Sequence, residues 1–305
     1  MRYHVIFNKH AGLYRAHGQD YIARLVRDSL GAKLAGLDFI ARQDVDAAFK
    51  TAFADAGDDC IVLASGGDGT LRSAVKQAWY NNKSFGPLPG GTFNALTRHL
   101  GLGHNFKKAL QDYAAHPLYD QDVSIGTVNN DPFIEGVTLN LERAYLGKHK
   151  EGLRRFNLAQ AYRIAVLFPH AVYSLLHDKQ HYQYHLRNGK SDNTSKALLI
   201  KNNPFDPDKP VFDLFKGSSS RMNTGQLGVY SFSPQSWYDY YRIARCILGN
   251  RPMHQLPIIA ETARQLEVME RDTQQIRLYI DGDPRIMTQP LHFASVPDAV
   301  RLKIP

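Results

Sequence analysis

One stretch of the chain, residues 59–75, constrains the fold more than any other. Its first part, Cys60 to Ala64, is a short apolar run of the kind found in buried parallel strands. The polar segment from Ser65 to Thr70 contains three glycines, and apolar side chains then recur at helical spacing from Leu71 to Ala78. The stretch therefore predicts a strand, a glycine-rich turn and a helix.

A glycine-rich turn of this kind is suited to an anion. Glycine lets the backbone turn sharply and lets a ligand approach the amide groups closely. The N–H groups at the start of the following helix carry partial positive charge, which favours phosphate. Asp68 would repel that phosphate unless a cation lay between them, so it suggests Mg²⁺. The alternative is a tight strand-to-helix connection without a ligand. The predicted phosphate-binding residues are Gly66, Gly67, Asp68, Gly69 and Thr70.

A second turn, rich in proline and glycine, begins at Pro87 and also leads into a predicted helix. It contains Gly91-Thr92-Phe93-Asn94. Thr92 and Asn94 occupy positions where a side chain would cap the helix or bind phosphate. The second turn strengthens the prediction of a nucleotide site, because a single glycine turn is a weak signal.

Together the two turns resemble the diacylglycerol kinase catalytic-domain family, which includes bacterial lipid kinases and the sphingosine and ceramide kinases. The segment Tyr279 to Pro284 is similar to the Asp-Gly-Glu segment of that family, and the resemblance spans residues 8–305. It implies an ATP-dependent, Mg²⁺-requiring lipid kinase. The reaction implied is transfer of the γ-phosphate of ATP to a lipid hydroxyl, with diacylglycerol giving phosphatidic acid in phospholipid biosynthesis.

The resemblance also assigns site residues. Asn8 stands at a place that lies near the nucleotide in the related kinases. Asp68, Asp122 and Asp281 become candidates for metal or ordered-water ligation, and Asp68 and Asp281 are also counted as catalytic. Asp283 stands where the family has the glutamate that accepts the hydroxyl proton, and aspartate is one methylene shorter.

Several residues depart from the family pattern. Thr224 replaces an aspartate near a structural Mg²⁺, and a neutral hydroxyl is a poor Mg²⁺ ligand, which argues against a second metal there. Glu135 and Asn140 stand at positions that would alter the acceptor pocket or face solvent. The segment from Asp281 to Pro284 also reads simply as a β-turn, since Asp, Gly and Pro are common in turns.

Two rival functions stay open. An NAD kinase shares the Gly-Gly-Asp-Gly-Thr turn, although the second turn and the C-terminal Asp-Gly-Asp fit lipid kinases better. A catalytically silent nucleotide- or lipid-binding protein is suggested by Asp283, Thr224 and Glu135. Neither a Walker lysine motif nor a Gly-x-Ser-x-Gly elbow is present, which excludes a P-loop kinase and an α/β-hydrolase.

The charge of the chain favours an anionic partner. Its 305 residues carry a formal net charge of +8, which favours a nucleotide or an anionic membrane surface. No nucleic-acid-binding module is visible, so nucleic acid is not an expected partner. The basic segment Lys148 to Arg155 precedes an apolar-rich stretch and is predicted to dock on anionic lipid. The alternative is a solvated basic face over a buried helix.

Cysteine usage and hydropathy predict the compartment. Cys60 and Cys246 are the two cysteines, and Cys60 falls in a predicted core strand, so a disulfide framework is not expected. No apolar run approaches the roughly 20 residues needed to span a bilayer, and residues 1–8 read as a strand rather than a signal peptide. We predict a cytoplasmic protein, peripheral at the inner face of the membrane. The sequence leaves the oligomeric state open, including a homodimer.

The order of elements predicts two domains. Alternating strands and helices over residues 1–121 indicate an α/β ATP-binding domain with an open, mostly parallel sheet, whose ligands lie at the carboxyl ends of the strands. Residues 122–305 are predicted to form a β-rich, sandwich-like lipid-substrate domain, with the last strands free to pack back on the first domain. Further predictions are a hairpin around Asn129-Asn130 with arms 120–128 and 133–141, a helix over 152–176, a loop over 206–220, and separate strands over 292–294 and 300–304.

Overall fold

The protein is described by a computed structural model, in which the chain forms two compact units. Unit 1 comprises Met1–Ile125 and Val296–Pro305, and unit 2 comprises Gly126–Ser295. The structure describes residues 1–57, 59–91, 94–140, 181–187, 192–210, 222–256, 258–271 and 273–305.

Unit 1 begins with alternating strands and helices. They are β1 (Arg2–Asn8), α1 (Gly12–Leu30), β2 (Leu34–Ile40), α2 (Val45–Asp55), β3 (Cys60–Gly66), α3 (Asp68–Tyr80), β4 (Gly86–Pro89), α4 (Ala95–His99) and α5 (Phe106–Ala115). The four strands form a parallel sheet in the order β2-β1-β3-β4. The predicted α/β architecture with a parallel sheet is confirmed.

The side chains of the parallel sheet in unit 1 are mostly apolar, and helices bury them. Tyr3, Val5 and Phe7 of β1 belong to one apolar cluster with residues of α1 and α5, such as Ile22 and Leu110. Parallel strands that are covered in this way read as continuous apolar runs rather than as alternating patterns. This explains why the strand from Cys60 could be located from the sequence.

Tyr113 of α5 connects the end of the chain to the sheet of unit 1. Its buried hydroxyl donates to the backbone oxygen of Lys303 at 2.9 Å and lies 3.3 Å from that of Pro87. Lys303 N donates in turn to the oxygen of Phe85 at 2.9 Å. The hydroxyl of Tyr3 donates to the backbone oxygen of Tyr113 at 2.7 Å. Burial raises the pKa of Tyr113 well above its ordinary value, so this residue stays a neutral donor.

Unit 2 is built mainly of strands. In chain order the further elements are β5 (Tyr119–Val128), β6 (Asp131–Phe133), β7 (Gly136–Leu139), β8 (Tyr182–Leu186), β9 (Asp192–Ser195), β10 (Ala197–Asn202), β11 (Leu227–Phe232), α6 (Trp237–Leu248), β12 (Ile259–Ala263), β13 (Gln265–Glu270), β14 (Gln275–Ile280), β15 (Asp283–Thr288) and β16 (Leu291–Ile304). The long strands β5 and β16 contribute residues to both units. The predicted boundary between residues 121 and 122 lies within β5.

The strands from β5 onward form two six-stranded sheets, in the orders β12-β11-β10-β7-β14-β15 and β6-β5-β16-β13-β8-β9. Residues of both sheets share one apolar cluster, among them Val137, Leu139, Tyr184, Leu266 and Phe293. Sheets that share a core in this way pack face to face as a sandwich. The predicted β-rich character of this region is confirmed.

The predicted hairpin is correct at its turn and wrong in its second arm. Asn129 and Asn130 have φ angles of 45° and 66°, as in the two-residue turns that join antiparallel strands. The arm predicted over residues 133–141 ends early, because β6 stops at Phe133 and β7 joins the other sheet. The chain bends at residues 134–135 to make this change of sheet.

Other elements differ from the sequence prediction as well. The segments predicted separately at His292–Ala294 and Val300–Ile304 form the single strand β16. Helix α6 and several strands were not predicted, namely β4, β9, β12, β13 and β15. Strand β4 includes Pro87, where the second turn was predicted to begin. The predicted helix over 152–176 and the basic segment 148–155 lie outside the described residues. The loop over 206–220 lies mostly outside them. None of the described helices is both long and apolar enough to cross a bilayer.

We predict that Tyr113→Phe lowers the free energy of unfolding of the protein by about 1–2 kcal/mol, because the Lys303 carbonyl loses its buried donor. The control is Tyr119→Phe, which removes a hydroxyl from a side chain that is 53% exposed. Urea unfolding of both variants measures the difference. Equal stability of the two variants would show that the buried hydrogen bond contributes nothing.

Candidate functional site

The two glycine turns of unit 1 touch each other at the carboxyl edge of the parallel sheet. Gly90 N, just after β4, donates to the oxygen of Gly66, the last residue of β3, at 3.2 Å. A Cβ atom placed on Gly91 would lie 2.5 Å from the Cα of Gly67, and one on Gly90 would lie 2.9 Å from the nitrogen of Gly66. Any side chain here would push the two backbones apart, which is why glycine is required.

Asn8 connects the end of β1 to the first turn of α3. Its side-chain nitrogen donates to the hydroxyl of Thr70 at 2.8 Å, and its side-chain oxygen accepts from the nitrogen of His10 at 2.8 Å. Asn8 and Thr70 are both buried. A Cβ atom on Gly66 would lie 2.4 Å from the Thr70 side chain, so this glycine is needed as well. The predicted site residues Asn8, Gly66 and Thr70 therefore lie together.

Asn94 holds the second turn closed. It has left-handed backbone angles, φ 50° and ψ 47°, a region that asparagine tolerates better than most residues. Its side-chain oxygen accepts from Gly91 N at 2.7 Å, and its side-chain nitrogen donates to Gly91 O at 2.9 Å. Its neighbour Thr92, which was predicted to bind the nucleotide, lies outside the described residues.

Asp68 is the first residue of α3, and Gly67 is the N-cap in an extended conformation. The oxygen of Gly67 accepts from the nitrogens of Thr70 at 2.9 Å and Leu71 at 3.1 Å. Gly67 and Asp68 are half-buried and Gly69 is exposed. The helix N-terminus thus faces a partly open edge, where its partial positive charge is available to an anion.

Ser65 is a site residue that the sequence reasoning missed. Its hydroxyl is buried, and it has no hydrogen-bond partner among the residues that the structure describes. It lies against the second turn, since a Cβ atom on Gly90 would be 2.8 Å from it. Buried hydroxyls are normally paired, so an unpaired one at this edge fits a site that accepts a polar ligand such as phosphate. The signal available in the sequence was its place directly before the glycines.

Asp281 lies in unit 2, in the two-residue turn between β14 and β15. Asp281 and Gly282 have φ angles of 48° and 83°, as in a type I′ hairpin turn. The Asp281 carboxylate accepts hydrogen bonds from the backbone nitrogens of Ile134 at 3.0 Å, Glu135 at 2.8 Å and Gly136 at 3.0 Å. The segment is therefore a β-turn, and its carboxylate also holds the bend between β6 and β7.

The bend is supported from its other side by β10. Asn202 donates through its side chain to Ile134 O at 3.1 Å and through its backbone to Glu135 O at 3.1 Å. The buried Lys201 lies 3.5 Å from the Glu135 carboxylate, which gives that half-buried acid a cationic partner. Asp283 follows the turn as the first residue of β15 and pairs with Ile280 in the hairpin.

Two further predicted positions have defined contacts. Asp122 accepts from Arg301 Nε at 3.2 Å, and the Asp122 hydrogen bond and charge raise the pKa of that guanidinium. Thr224 donates to the side-chain oxygen of the buried Asn203 at 2.8 Å. Asn140 is buried and donates to Lys196 O at 3.0 Å, so the expectation that it might face solvent is wrong.

Metal ligation by Asp68, Asp122 and Asp281 stays a prediction. Among the described residues, no three histidine, cysteine, aspartate or glutamate side chains are grouped as a metal ion would require. Asp122 is paired with Arg301, and Asp281 is bonded to backbone amides. The remaining predicted ligand, Asp68, is half-buried at the start of α3, beside the first glycine turn.

Comparison with known proteins identifies the family of the region that contains the two glycine turns. A family model described as the diacylglycerol kinase catalytic domain matches residues 2–125. Residues 2–125 belong to the diacylglycerol kinase catalytic-domain family. The resemblance predicted from the two turns is confirmed, and both turns of this catalytic domain lie inside the matched range. Asp281 and Asp283 lie outside it.

Relatives and solved structures extend the comparison to most of the chain. A Staphylococcus haemolyticus protein named "Putative lipid kinase" is 42% identical over 65 residues, which is 21% of each chain. A Staphylococcus aureus protein with the same description is 24% identical over 250 residues, 79% of this chain and 76% of that one. The match to the first relative thus spans about a fifth of its length.

The fold as a whole is similar to that of a solved Bacillus anthracis protein described as a "putative diacylglycerol kinase". The two superpose with a TM-score of 0.70 at 13% sequence identity, covering 100% of this chain and 95% of that chain. A second structure from the same organism, with the same description, gives a TM-score of 0.68 at 13% identity, covering 99% of this chain and 96% of that one. Similarity at this level of identity shows the fold alone, and the predicted diacylglycerol kinase-like fold is confirmed.

We predict that Asp281→Asn lowers the free energy of unfolding by about 2 kcal/mol, because charge-assisted hydrogen bonds to backbone amides are lost. Asparagine tolerates the left-handed backbone at this position, so the change tests the carboxylate rather than the turn. Asp283→Asn removes the same charge two residues later and should cost less. Urea unfolding compares the two variants. An Asp281→Asn protein as stable as wild type would contradict the role given to this carboxylate.

Proposed function

We propose that the protein is an ATP-dependent lipid kinase that transfers the γ-phosphate of ATP to a lipid hydroxyl. The observation that carries this proposal is the contact between the two glycine turns, which places backbone amides, the start of α3 and the buried Ser65 hydroxyl at one edge of a diacylglycerol kinase catalytic domain. The names of the staphylococcal relatives support the same class of reaction.

In this proposal the first turn binds the phosphates of ATP. The second turn and two asparagines keep the first turn in shape. Residues 66–70 would contact the phosphates, with Thr92 and Asn94 in the second turn and Asn8 behind Thr70. Asp68 would hold Mg²⁺, which neutralises charge on the transferring phosphoryl group. Ligation by Asp122, which accepts a hydrogen bond from Arg301, and by Asp281, which accepts from backbone amides, is part of the same prediction.

The proposed chemical step needs one proton acceptor in this chain, and Asp283 is the residue assigned to it. As its carboxylate takes the proton of the lipid hydroxyl, the hydroxyl oxygen attacks the γ-phosphorus. The bond from that phosphorus to the β–γ bridging oxygen breaks, and ADP leaves. With diacylglycerol as acceptor the product is phosphatidic acid. A sphingoid base or ceramide would give the corresponding phosphate monoester.

The deciding experiment measures transfer of labelled phosphate from γ-labelled ATP with Mg²⁺. The acceptors are diacylglycerol, a sphingoid base and ceramide in mixed micelles, with NAD⁺ as a soluble acceptor. A labelled lipid would establish the kinase and name its substrate. Label on NAD⁺ would identify an NAD kinase instead. ATP binding without any labelled product would favour the silent binding protein.

We predict that Asp68→Asn lowers kcat by on the order of 100-fold or more, because the residue assigned to Mg²⁺ loses its charge. Asp55→Asn is the matched control, since it removes one exposed carboxylate from the same unit at the end of α2. Both variants should melt at the wild-type temperature. Wild-type turnover by Asp68→Asn would remove this residue from the mechanism.

We predict that Asp283→Asn lowers kcat by about 100- to 10,000-fold, the usual contribution of a positioned general base. Asp283→Glu should keep or raise kcat, because it restores the longer side chain found at this place in the family that the chain resembles. Initial rates at saturating ATP and lipid check both. If Asp283→Asn turns over like wild type, another group accepts the proton.

A further inference from the structure

Helix α6 has a capped N-terminus that uses its acidic residue internally. Ser236 N donates to the Asp239 carboxylate at 3.1 Å, while Asp239 N donates to the Ser236 hydroxyl at 3.3 Å. This reciprocal pair is a capping box. The backbone N–H of Gln235 also donates to Asp239 and, with the Ser236 side chain, lowers the pKa of that carboxyl. The carboxylate of Asp239 therefore stabilises the N-terminus of α6.

One side of α6 packs into unit 2. Cys246 is buried and Ile243 is partly buried in an apolar cluster that includes Met253 and Leu256. The thiol of Cys246 donates to Gln255 O at 3.3 Å. This packing fixes which face of the helix is left outside.

The outer face of α6 carries two tyrosines and two arginines in a single stripe. Tyr238, Tyr241, Arg242 and Arg245 follow each other at spacings that place them on one side of a helix. Tyr238 is 67% exposed and Tyr241 is 60% exposed, and their rings stack on each other with centroids 6.4 Å apart. Both arginines are exposed. We call these four residues the α6 stripe.

The segment that carries the α6 stripe has a net positive charge. Residues 235–251 contain three arginines and one acidic residue, Asp239, which lies in the capping box. The third arginine, Arg251, is exposed just after the helix. A surface that complements the stripe must therefore be anionic and must accept two large aromatic side chains.

We infer that the α6 stripe docks on an anionic phospholipid bilayer. Tyrosine is suited to the headgroup region, because its ring is apolar while its hydroxyl stays in contact with water. Arginine is attracted to anionic headgroups at the same depth. Ile243 and Cys246 of α6 already pack into unit 2, so the stripe on the other side contacts the bilayer at headgroup level. Docking of this kind is reversible and sensitive to salt.

Nucleic acid is also anionic, but it fits the stripe less well. Bases bind aromatic side chains by stacking on their free faces. The rings of Tyr238 and Tyr241 already stack on each other, which reduces the ring area open to a base.

The inference draws on the proposed function only in expecting that the acceptor lies in a bilayer, and its test requires no turnover.

The test is co-sedimentation of the full chain, without ATP, with vesicles of phosphatidylcholine alone or of phosphatidylcholine containing phosphatidylglycerol. Wild type should bind the anionic vesicles and lose binding at high salt. Arg242→Gln/Arg245→Gln should weaken binding about 25-fold, at about fivefold per arginine. Tyr238→Ser/Tyr241→Ser should weaken it about tenfold.

The matched control is Arg24→Gln/Arg27→Gln, which removes two exposed arginines at the same spacing from α1. The exposed Asp20 and Asp28 each stand four residues from Arg24 on that helix, so carboxylates lie on the same face as the control arginine. The control should bind anionic vesicles as wild type does. All substitutions are at exposed positions, and melting temperatures close to wild type verify that each variant folds.

Four outcomes would overturn the inference. Equal losses in the α6 and α1 variants would mean that net charge alone drives binding. Wild-type binding by Arg242→Gln/Arg245→Gln would place the docking surface elsewhere. A wild-type dimer that Tyr238→Ser/Tyr241→Ser converts to a monomer, or binding of single-stranded DNA in place of vesicles, would identify a different occupant. Vesicle binding that depends on the stripe in a protein without kinase activity would support the inference and overturn only the proposed function.

Discussion

The close approach of two glycine turns is the constraint on which the candidate site depends. No Cβ atom fits between Gly91 and Gly67, so the backbones themselves form the surface at this edge of the sheet. The parallel pairing of β3 with β4 brings the turns to the same edge. Asn8 and Asn94 then satisfy backbone and hydroxyl groups around them. Because backbone amides line this edge, an anion can reach donors that side chains would otherwise cover.

A different interaction organises the β-rich unit. The Asp281 carboxylate gathers the amides of residues 134–136, at the point where the chain leaves one sheet for the other. Asn202 and Lys201 of β10 hold the same bend from the opposite side. One short Asp-Gly segment is thus a hairpin turn, an anchor for a distant bend and the start of the strand that carries Asp283. The two interpretations of this segment from sequence, as a turn and as a site, need not exclude each other.

Helix α6 and strand β12 were missed by sequence reasoning for two different physical reasons. Helix α6 is rich in tyrosine and arginine, and its orientation depends on packing of Ile243 and Cys246 against residues that follow it in the chain. Strand β12 lies at the edge of its sheet and exposes much of its surface, so its pattern is weak. By contrast, the apolar runs of β1 and β3 made these strands of the parallel sheet visible, whereas the short β4 was assigned to the second turn.

Apart from the short strand β4, the sequence by itself determined the order of strands, glycine turns and helices in the catalytic domain, because apolar runs, helical spacing and glycine are local properties. It also located the turns that belong to the diacylglycerol kinase family. Only the tertiary structure decided that the turns touch, that the Ser65 hydroxyl is buried beside them and that Asp281 binds amides far away in the chain. Hydrogen bonds and contacts between distant segments leave no periodic trace in a sequence, so they become visible only when the chain is folded.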